Sequence, residues 1–346
     1  MNDMVQPLDA EATAIHAATL TLDTHVDIPW PDTPDPRTET RRCVDFPKMR
    51  AGGLGAVVFI AYTPQGPRNP AAHAASAARA EAMLRAIRGT AHGEGRRIVT
   101  RPGDLEAAHA AGAHSVLLAV ENGNAMGHDL SRLALWRGLG AIYLTITHDG
   151  HNDLSDAARP KPELGDGPTL HGGLSPLGRA TIAEMNRIGM MVDISHIHRE
   201  AMLQCVEISR APVVATHACC AALRNHPRNL DDAQLDALRD SGGLIQITAV
   251  SAFLKGPDPN GRFHASIEDI ADHVDHAVRR IGLPHVGLSS DFDGGGGVAG
   301  WRHAGETANL TAALLRRGYD RAAIGLLWSG NFLRVWREAE RVAAEG

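Results

Sequence analysis

Short apolar segments alternate with longer amphipathic segments along the chain. The apolar segments are nearly continuous runs of aliphatic residues, which is typical of strands buried on both faces of a parallel sheet. Eight of them predict strands over 18–23, 55–62, 115–120, 141–147, 190–194, 212–216, 243–248 and 285–290. Helical spacing of apolar residues predicts helices over 71–88, 176–188, 199–209, 231–240, 266–281, 306–317 and 320–343.

This alternation of strand and helix favours a (β/α)8 TIM barrel, an α/β fold, over an open doubly wound sheet. The chain has 346 residues, and neither an interdomain linker nor a repeat of fixed period divides it. Barrels of this kind commonly run to about 250 residues or more as one unit. We therefore expect residues 1–346 to form a single barrel domain, with roughly the first 15 residues and the C-terminal helix as additions to it.

Composition narrows the class of protein. The apolar fraction of 44% and the charged fraction of 21% are those of an ordinary globular chain. The 34 basic and 40 acidic residues give a net charge of −6, which does not favour nucleic acid as a partner. Neither a membrane-spanning run nor an N-terminal secretory signal or anchor is visible, and the four cysteines form no CxxC pair. We therefore expect a cytoplasmic protein, and a homodimer is left open.

Polar residues that can bind a metal follow six of the eight predicted strands. The carboxyl ends of barrel strands open onto one face, where the active sites of such barrels lie. Imidazole and carboxylate together suit zinc and related divalent ions. The sequence therefore predicts a metal site on that face. The candidate residues at these strand ends are His25, Asp27, Glu121, His148, His196, His217 and Asp291.

Taken singly, most of these residues also have an ordinary structural explanation. His25 and Asp27 are two apart in an extended segment and can chelate one ion, but such a pair is common. His196 and His217 can each be a capping or core histidine. Glu121 is harder to explain without a metal, because a carboxylate that ends a buried strand is costly unless it is paired or bound to an ion. The coincidence at six strand ends favours the metal site.

The other histidines fall into two groups. Their contexts predict surface positions for His92, His109, His114, His264, His273 and His276. Three further histidines lie in loops near the expected mouth of the barrel, and their role is left open: His171, His226 and His303.

The motifs together resemble the membrane (renal) dipeptidases and their bacterial homologues, which are amidohydrolase-like metal-dependent barrels. The resemblance spans residues 23–294 in the order of the family. It consists of Asp23-Thr-His-Val-Asp-Ile-Pro-Trp30, Val120-Glu-Asn-Gly123, Leu144-Thr-Ile-Thr-His148, Val192-Asp-Ile-Ser-His196, Pro212-Val-Val-Ala-Thr-His217, Arg228-Asn229 and Ser290-Asp-Phe-Asp-Gly294.

The resemblance implies a zinc-dependent metallo-dipeptidase, a hydrolase that cleaves small L-Xaa-L/D-Xaa dipeptides with water activated by two zinc ions per chain. It implies that His25 and Asp27 hold one ion, that His196 and His217 hold the other, and that Glu121 bridges both. It further implies three roles toward the substrate. His148 faces the scissile carbonyl, Arg228 binds the carboxylate of the dipeptide, and Asp291 is the acid/base.

The chain departs from the family pattern in two places. Thr24 and Val26 replace a glycine and an asparagine and leave the ligands intact. Many members carry an aromatic residue or an asparagine after the seventh strand, where this chain has residues 248–251, Thr-Ala-Val-Ser. Because of the second departure, an alternative stays open: a related metallohydrolase that acts on a different amide, a lactam or an ester.

Of two more distant alternatives, one stays open and one is excluded. A protein that keeps the metal pocket but only binds or tailors a modified peptide stays open, although Asp291 argues against it because binding needs no acid/base. A barrel with a carbamylated bridging lysine is excluded, because no lysine follows any of the eight predicted strands.

Overall fold

The structure, a computed structural model, describes residues 9–345 and has the (β/α)8 TIM-barrel fold that the sequence predicts. Residues 1–8, where the sequence indicates no secretory signal, lie outside the described part. Eight parallel strands follow one another around the barrel, and a ninth short strand pairs with the start of the third barrel strand. The strands are β1 (Leu22–Asp27), β2 (Ala56–Tyr62), β3 (Arg96–Ile98, the extra strand), β4 (His114–Glu121), β5 (Ala141–Thr145), β6 (Met191–Asp193), β7 (Val214–Ala218), β8 (Leu244–Ile247) and β9 (Val286–Leu288).

Hydrogen bonds between the first strand and the segment after the last one join the two ends of the sheet. The backbone N–H of Asp27 donates to the carbonyl of Phe292 at 2.9 Å, and that of Asp291 donates to the carbonyl of His25 at 3.0 Å. Val26 and Phe292 form the matching parallel bridge. This contact places the carboxyl ends of β1 and β9 side by side, although they are more than 250 residues apart in sequence.

The helices surround the sheet and begin at residues suited to helix starts. Asn69, Ser175 and Asp231 each accept a backbone N–H at a helix N-terminus, and Asp231 forms a capping box with Gln234. The helices are α1 (Ala10–Ala18), α2 (Phe46–Gly52), α3 (Pro70–Thr90), α4 (Pro102–Ala110), α5 (Ser131–Leu139), α6 (Pro176–Ile188), α7 (Arg199–Ile208), α8 (Asp232–Asp240), α9 (Ser251–Leu254), α10 (Ile267–Ile281), α11 (Thr307–Arg316), α12 (Arg321–Gly325) and α13 (Asn331–Ala344).

Alternate residues of the strands belong to two different apolar clusters. In β2, Phe59 packs in the layer between the strands and the surrounding helices, whereas Val58 belongs to the second cluster. The second cluster also contains Phe332 and Trp336 of α13, together with the first residues of several strands. Helix α13 therefore packs against the amino ends of the strands, opposite the face where the predicted site residues lie. Among residues 9–345, no helix combines the length and apolar character needed to cross a membrane.

The structure differs from the sequence prediction in several places. The first strand is Leu22–Asp27 rather than 18–23, because Ala18 still belongs to α1. A π-helical turn over Leu326–Gly330 interrupts the helix predicted over 320–343.

The surface position predicted for His273 is wrong. The residue is 1% exposed and lies on the apolar face of α10. Its Nδ1 accepts the N–H of Cys220 at 3.0 Å, and its Nε2 lies 3.1 Å from the carbonyl of Leu254. These two partners satisfy both ring nitrogens, so that a neutral histidine can be buried at this position.

Candidate active site

Three histidines from three strand ends converge on one buried carboxylate. Glu121 ends β4 and is 2% exposed. Its Oε2 lies 3.6 Å from Nε2 of His25. Its Oε1 lies 3.4 Å from Nε2 of His196 and 3.5 Å from Nε2 of His217. The two oxygens of this carboxylate therefore face two different groups of nitrogen atoms.

The other ring nitrogen of His25 and of His217 meets a hydroxyl group. Nδ1 of His25 lies 3.0 Å from the hydroxyl of Tyr143, which itself donates to the carbonyl of Thr24. Nδ1 of His217 lies 2.9 Å from Oγ1 of Thr216. The hydroxyl of Thr216 donates its own proton to Oδ2 of Asp193 at 2.7 Å. Since both hydroxyl oxygens act as acceptors, each Nδ1 carries the proton. Each Nε2 then presents its lone pair toward Glu121.

His196 follows the same rule with a charged partner. Its Nδ1 lies 3.2 Å from Oδ1 of Asp149, and Arg159 contacts the other oxygen of that carboxylate at 3.0 Å. Asp149 therefore orients the ring of His196 and leaves its Nε2 free. Carboxylates in this position are the usual partners of metal-binding histidines.

A second pair of carboxylates lies beside this group. Asp27 ends β1, and its Oδ1 lies 4.0 Å from Nε2 of His25. A Cβ atom placed on Gly294 would come within 2.5 Å of Oδ1 of Asp291 and within 2.7 Å of Oδ2 of Asp27. The carboxylates of Asp27 and Asp291 thus share one small space, and the chain passes them at a residue without a side chain.

The backbone at this face adopts the left-handed conformation at four residues that are not glycine. The φ angles are 78° at Asn122, 68° at His196, 59° at Asp291 and 62° at Asp293. This conformation costs an L-residue about 1–2 kcal/mol, and such residues cluster at functional sites. Two of the four are predicted site residues, and Asn122 directly follows Glu121.

The donor set fits divalent metal ions. Among residues 9–345, Nε2 of His25, Oδ1 of Asp27 and Oε1 of Glu121 are buried and have no hydrogen-bond partner. These three residues offer ligand atoms within 4.8 Å of one another. Lone pairs on nitrogen and oxygen face each other here without a donor between them, and a cation is the partner that such an arrangement requires.

Burial sets the protonation of these groups. Burial raises the pKa of Glu121 to about 8 and that of Asp27 to about 7, and the negative charges of neighbouring carboxylates add to both shifts. Burial lowers the pKa of His196 and of His217 well below the ordinary value. The imidazoles are therefore neutral, as metal ligands must be, and a cation among the carboxylates would favour their charged form.

Asp193 also lies close to His25 and His217 but is committed elsewhere. Its Oδ2 accepts the hydroxyls of Thr145 at 2.6 Å and of Thr216 at 2.7 Å. Its Oδ1 accepts two N–H groups and a further hydroxyl. Its oxygens are saturated by donors, so that Asp193 orients its neighbours rather than adding a ligand.

His148 and Arg228 each lie next to a histidine of this group. The ring of His148 lies 4.1 Å from that of His196, and burial lowers the pKa of His148 to about 3. Arg228 is 3% exposed, stands over the ring of Phe253 at 5.3 Å and donates to the carbonyl of His217 at 3.1 Å. Its Nε has no partner among the described residues. A cavity of about 210 Å³ borders both Arg228 and His196.

All eight residues that the sequence singled out for the site thus lie at the carboxyl face of the barrel, on strand ends or on the loops that follow them. Sequence reasoning missed the residues that orient them, above all Tyr143, Asp149 and Asp193. It also missed Tyr62, which ends β2 and whose ring lies 4.7 Å from that of His148. Tyr62 stands at a strand end like the predicted residues, so the same criterion would have found it had aromatic residues been included.

The histidines left open have structural partners. Nε2 of His171 lies 2.9 Å from the carbonyl of Asn152, and Nδ1 of His303 accepts the N–H of Gly305 at 3.1 Å. His226 packs on Phe253 with the ring centroids 4.6 Å apart. None of these three contacts involves Glu121 or the histidines around it.

Comparison with known proteins gives consistent matches. The family described as Membrane dipeptidase (Peptidase family M19) matches residues 9–346. Dipeptidase tcpJ of Claviceps purpurea is 38% identical over 229 residues, which are 66% of this chain and 52% of that protein. The chain therefore spans about half the length of the curated relatives it matches.

Two solved structures are similar over most of the chain. The probable dipeptidase PvdM from Pseudomonas aeruginosa is 27% identical with a TM-score of 0.89, covering 96% of this chain and 98% of that one. A metallo peptidase from Rhodobacter sphaeroides, liganded with a phosphinate mimic of the dipeptide L-Ala-D-Ala, is 26% identical with a TM-score of 0.75. That match covers 87% of this chain and 91% of the other.

Proposed function

The chain belongs to the membrane dipeptidase family, peptidase family M19, and on that premise we propose that it is a zinc-dependent dipeptidase. The observation that carries the proposal is the arrangement around Glu121. Its two carboxylate oxygens face the Nε2 atoms of His25 on one side and of His196 and His217 on the other, at 3.4–3.6 Å. Nearly all of this cluster is withdrawn from solvent, which is costly for groups that serve no binding purpose.

Two zinc ions fit this donor set. We assign His25 and Asp27 to one ion, His196 and His217 to the other, and Glu121 to both. Two such ions, when bound, lower the pKa of a shared water and polarise the scissile carbonyl. Other side chains of the protein transfer protons and bind the substrate.

Asp291 is the proposed acid/base. Its side chain lies in the space beside Asp27, and burial raises its pKa to about 8. A carboxyl group with a pKa near neutrality can take a proton from the attacking water and return it to the leaving amine. The backbone of Asp291 is left-handed, and the glycine at position 294 leaves room for its carboxylate beside that of Asp27.

Arg228 and His148 are the proposed substrate-binding residues. A guanidinium matches a carboxylate in a bidentate pair, and the unpartnered Nε of Arg228 is available for the C-terminal carboxylate of a dipeptide. His148 is neutral because burial lowers its pKa to about 3. A neutral imidazole can donate one hydrogen bond to the carbonyl oxygen as negative charge develops on it.

The chain is proposed to act as one hydrolase domain over residues 1–346. Helix α13 supports this, since Phe332 and Trp336 belong to the same apolar cluster as the barrel strands. The dipeptide specificity is a proposal that the Rhodobacter sphaeroides neighbour supports, because that protein binds a phosphinate mimic of a dipeptide.

The test is a substrate panel on protein of known metal content. The panel contains free dipeptides with an L- or D-residue in the second position, together with an ester and a lactam of similar size. We expect hydrolysis of dipeptides that is lost on metal removal and restored by zinc. Activity that survives complete metal removal contradicts the zinc proposal. Turnover of the ester or lactam without turnover of any dipeptide replaces the dipeptidase with the related metallohydrolase.

A further inference from the structure

Three side chains outside the active site form a second compact group of nitrogen and oxygen atoms. His73 lies in the first turn of α3, His128 follows the turn after β4, and Asp153 lies in the loop between β5 and α6. Oδ2 of Asp153 is 2.9 Å from Nε2 of His73 and 3.5 Å from Nε2 of His128. Each of the three residues offers a ligand atom within 4.8 Å of the other two.

The contact between His73 and Asp153 is not an ordinary hydrogen bond. Nε2 of His73 is buried, and it has no hydrogen-bond partner among the described residues even though Oδ2 of Asp153 is 2.9 Å away. The two atoms are close, but their relative orientation does not suit a hydrogen bond. Two ligands of one metal ion have this relation, because each points at the ion rather than at the other ligand. At a tetrahedral zinc with bonds of about 2.0–2.2 Å, neighbouring ligand atoms lie roughly 3.3–3.6 Å apart. The 3.5 Å between Asp153 and His128 matches this spacing, and the 2.9 Å between Asp153 and His73 would lengthen slightly on binding.

The surroundings favour a cation. Asp153 lies against the two histidines, and no lysine or arginine pairs with it in residues 9–345. Gly127 passes directly beside His73: a Cβ there would lie 3.0 Å from Cβ of His73, and its φ of 58° suits glycine. The close backbone fixes the position of His73, whereas His128, with its side chain 70% exposed, can adjust to complete a coordination sphere.

We propose that His73, His128 and Asp153 bind a third zinc ion, with water in the remaining position. Two imidazoles and one carboxylate are a zinc donor set, and the site shares no residue with the five proposed active-site ligands, which include Glu121. The ion ties α3 and the loop after β4 to the loop that runs from β5 to α6. That loop carries His148 and Asp149, so the third ion stabilises the segment that supplies part of the active site.

The test counts zinc per chain at equilibrium in the full-length protein without a polyhistidine tag. It compares wild type with His128→Ala, Asp153→Asn and a matched control, His264→Ala. His264 is 68% exposed and lies 3.8 Å from Asp258, so the control removes an equally exposed histidine from a pair that lacks a second histidine. We expect wild type and the control to bind one zinc more per chain than the other two variants, whatever number the active site holds.

Equal zinc content in all four proteins overturns the proposal, and so does the loss of one zinc in the control alone. The midpoint of thermal unfolding provides a second measurement. Added zinc should raise it more in wild type and in His264→Ala than in His128→Ala and Asp153→Asn, because a ligand that binds only the folded state stabilises it. Identical zinc-dependent shifts in all four proteins count against the third site.

Discussion

Replacing Arg228 with alanine tests how the proposed dipeptidase recognises its substrate. The guanidinium is 3% exposed, donates to the carbonyl of His217 at 3.1 Å and keeps its Nε unpartnered. If a substrate carboxylate pairs with it, the variant leaves that carboxylate buried without a partner. Truncating one member of a buried charge pair costs about 2–5 kcal/mol. At about 1.4 kcal/mol for each tenfold change, kcat/KM for a dipeptide should fall by about 30-fold to about 4,000-fold.

The assay compares each free dipeptide with its C-terminal amide. Wild type should prefer the free acid strongly, and Arg228→Ala should lose this preference because the group that reads the carboxylate is gone. Arg224→Ala is the matched control, since Arg224 lies on the same loop, is only partly buried and bonds the carbonyl of Ala252 at 3.4 Å. Its kcat/KM should stay near the wild-type value.

The metal content must be measured beside the kinetics, because Arg228 also bonds the carbonyl of the proposed ligand His217. A loss of activity that follows a loss of metal would assign Arg228 a supporting role at the metal centre instead. Arg228→Lys keeps the charge without the bidentate geometry and should fall between wild type and the alanine variant. If wild type hydrolyses dipeptide amides as well as free dipeptides, recognition of the substrate carboxylate by Arg228 is refuted.

Three further predictions concern other residues. Glu121→Gln should lower the occupancy of both proposed active-site zinc positions together, because one carboxylate serves both; elemental analysis showing the same zinc content as wild type would contradict the bridge. Asp291→Asn should keep the metal and lower kcat by about 10²–10⁴-fold, so wild-type turnover in this variant removes Asp291 from the mechanism. Burial lowers the pKa of His273, so the folded protein stays neutral there while the unfolded chain takes up a proton below about 6.5, and stability falls as the pH drops through that range. His273→Gln should reduce the slope of unfolding free energy against pH by up to about 1.4 kcal/mol per pH unit. An unchanged slope in the variant would contradict the assignment.

The sequence alone determined the order of the strands and helices and most of the residues that meet at the site. Both depend on local patterns: aliphatic runs mark buried strands, and polar residues at their carboxyl ends mark the functional face of a barrel. The spacing of His25 and Asp27 in an extended segment already placed their side chains on one side. The position of Glu121 at the end of a buried strand already implied a partner of opposite charge.

The same local patterns failed where several elements compete for one segment. The first strand was predicted too early because Ala18 fits either element, and α1 takes it. His273 was assigned to the surface from its helical context, although its spacing from Ile270 and Ala277 places it on the apolar face of α10. Its burial depends on Cys220 and Leu254, which are distant in sequence and satisfy its two nitrogens.

Only the tertiary structure decided how the site residues face one another. Closure of the barrel between β1 and the segment after β9 places Asp27 beside Asp291, and this proximity depends on hydrogen bonds between residues more than 260 positions apart. The same holds for Tyr143 and Asp149, which orient the histidines toward Glu121. Side-chain direction, tautomer and pKa arise from contacts across the fold, and periodicity along the chain carries no record of those contacts.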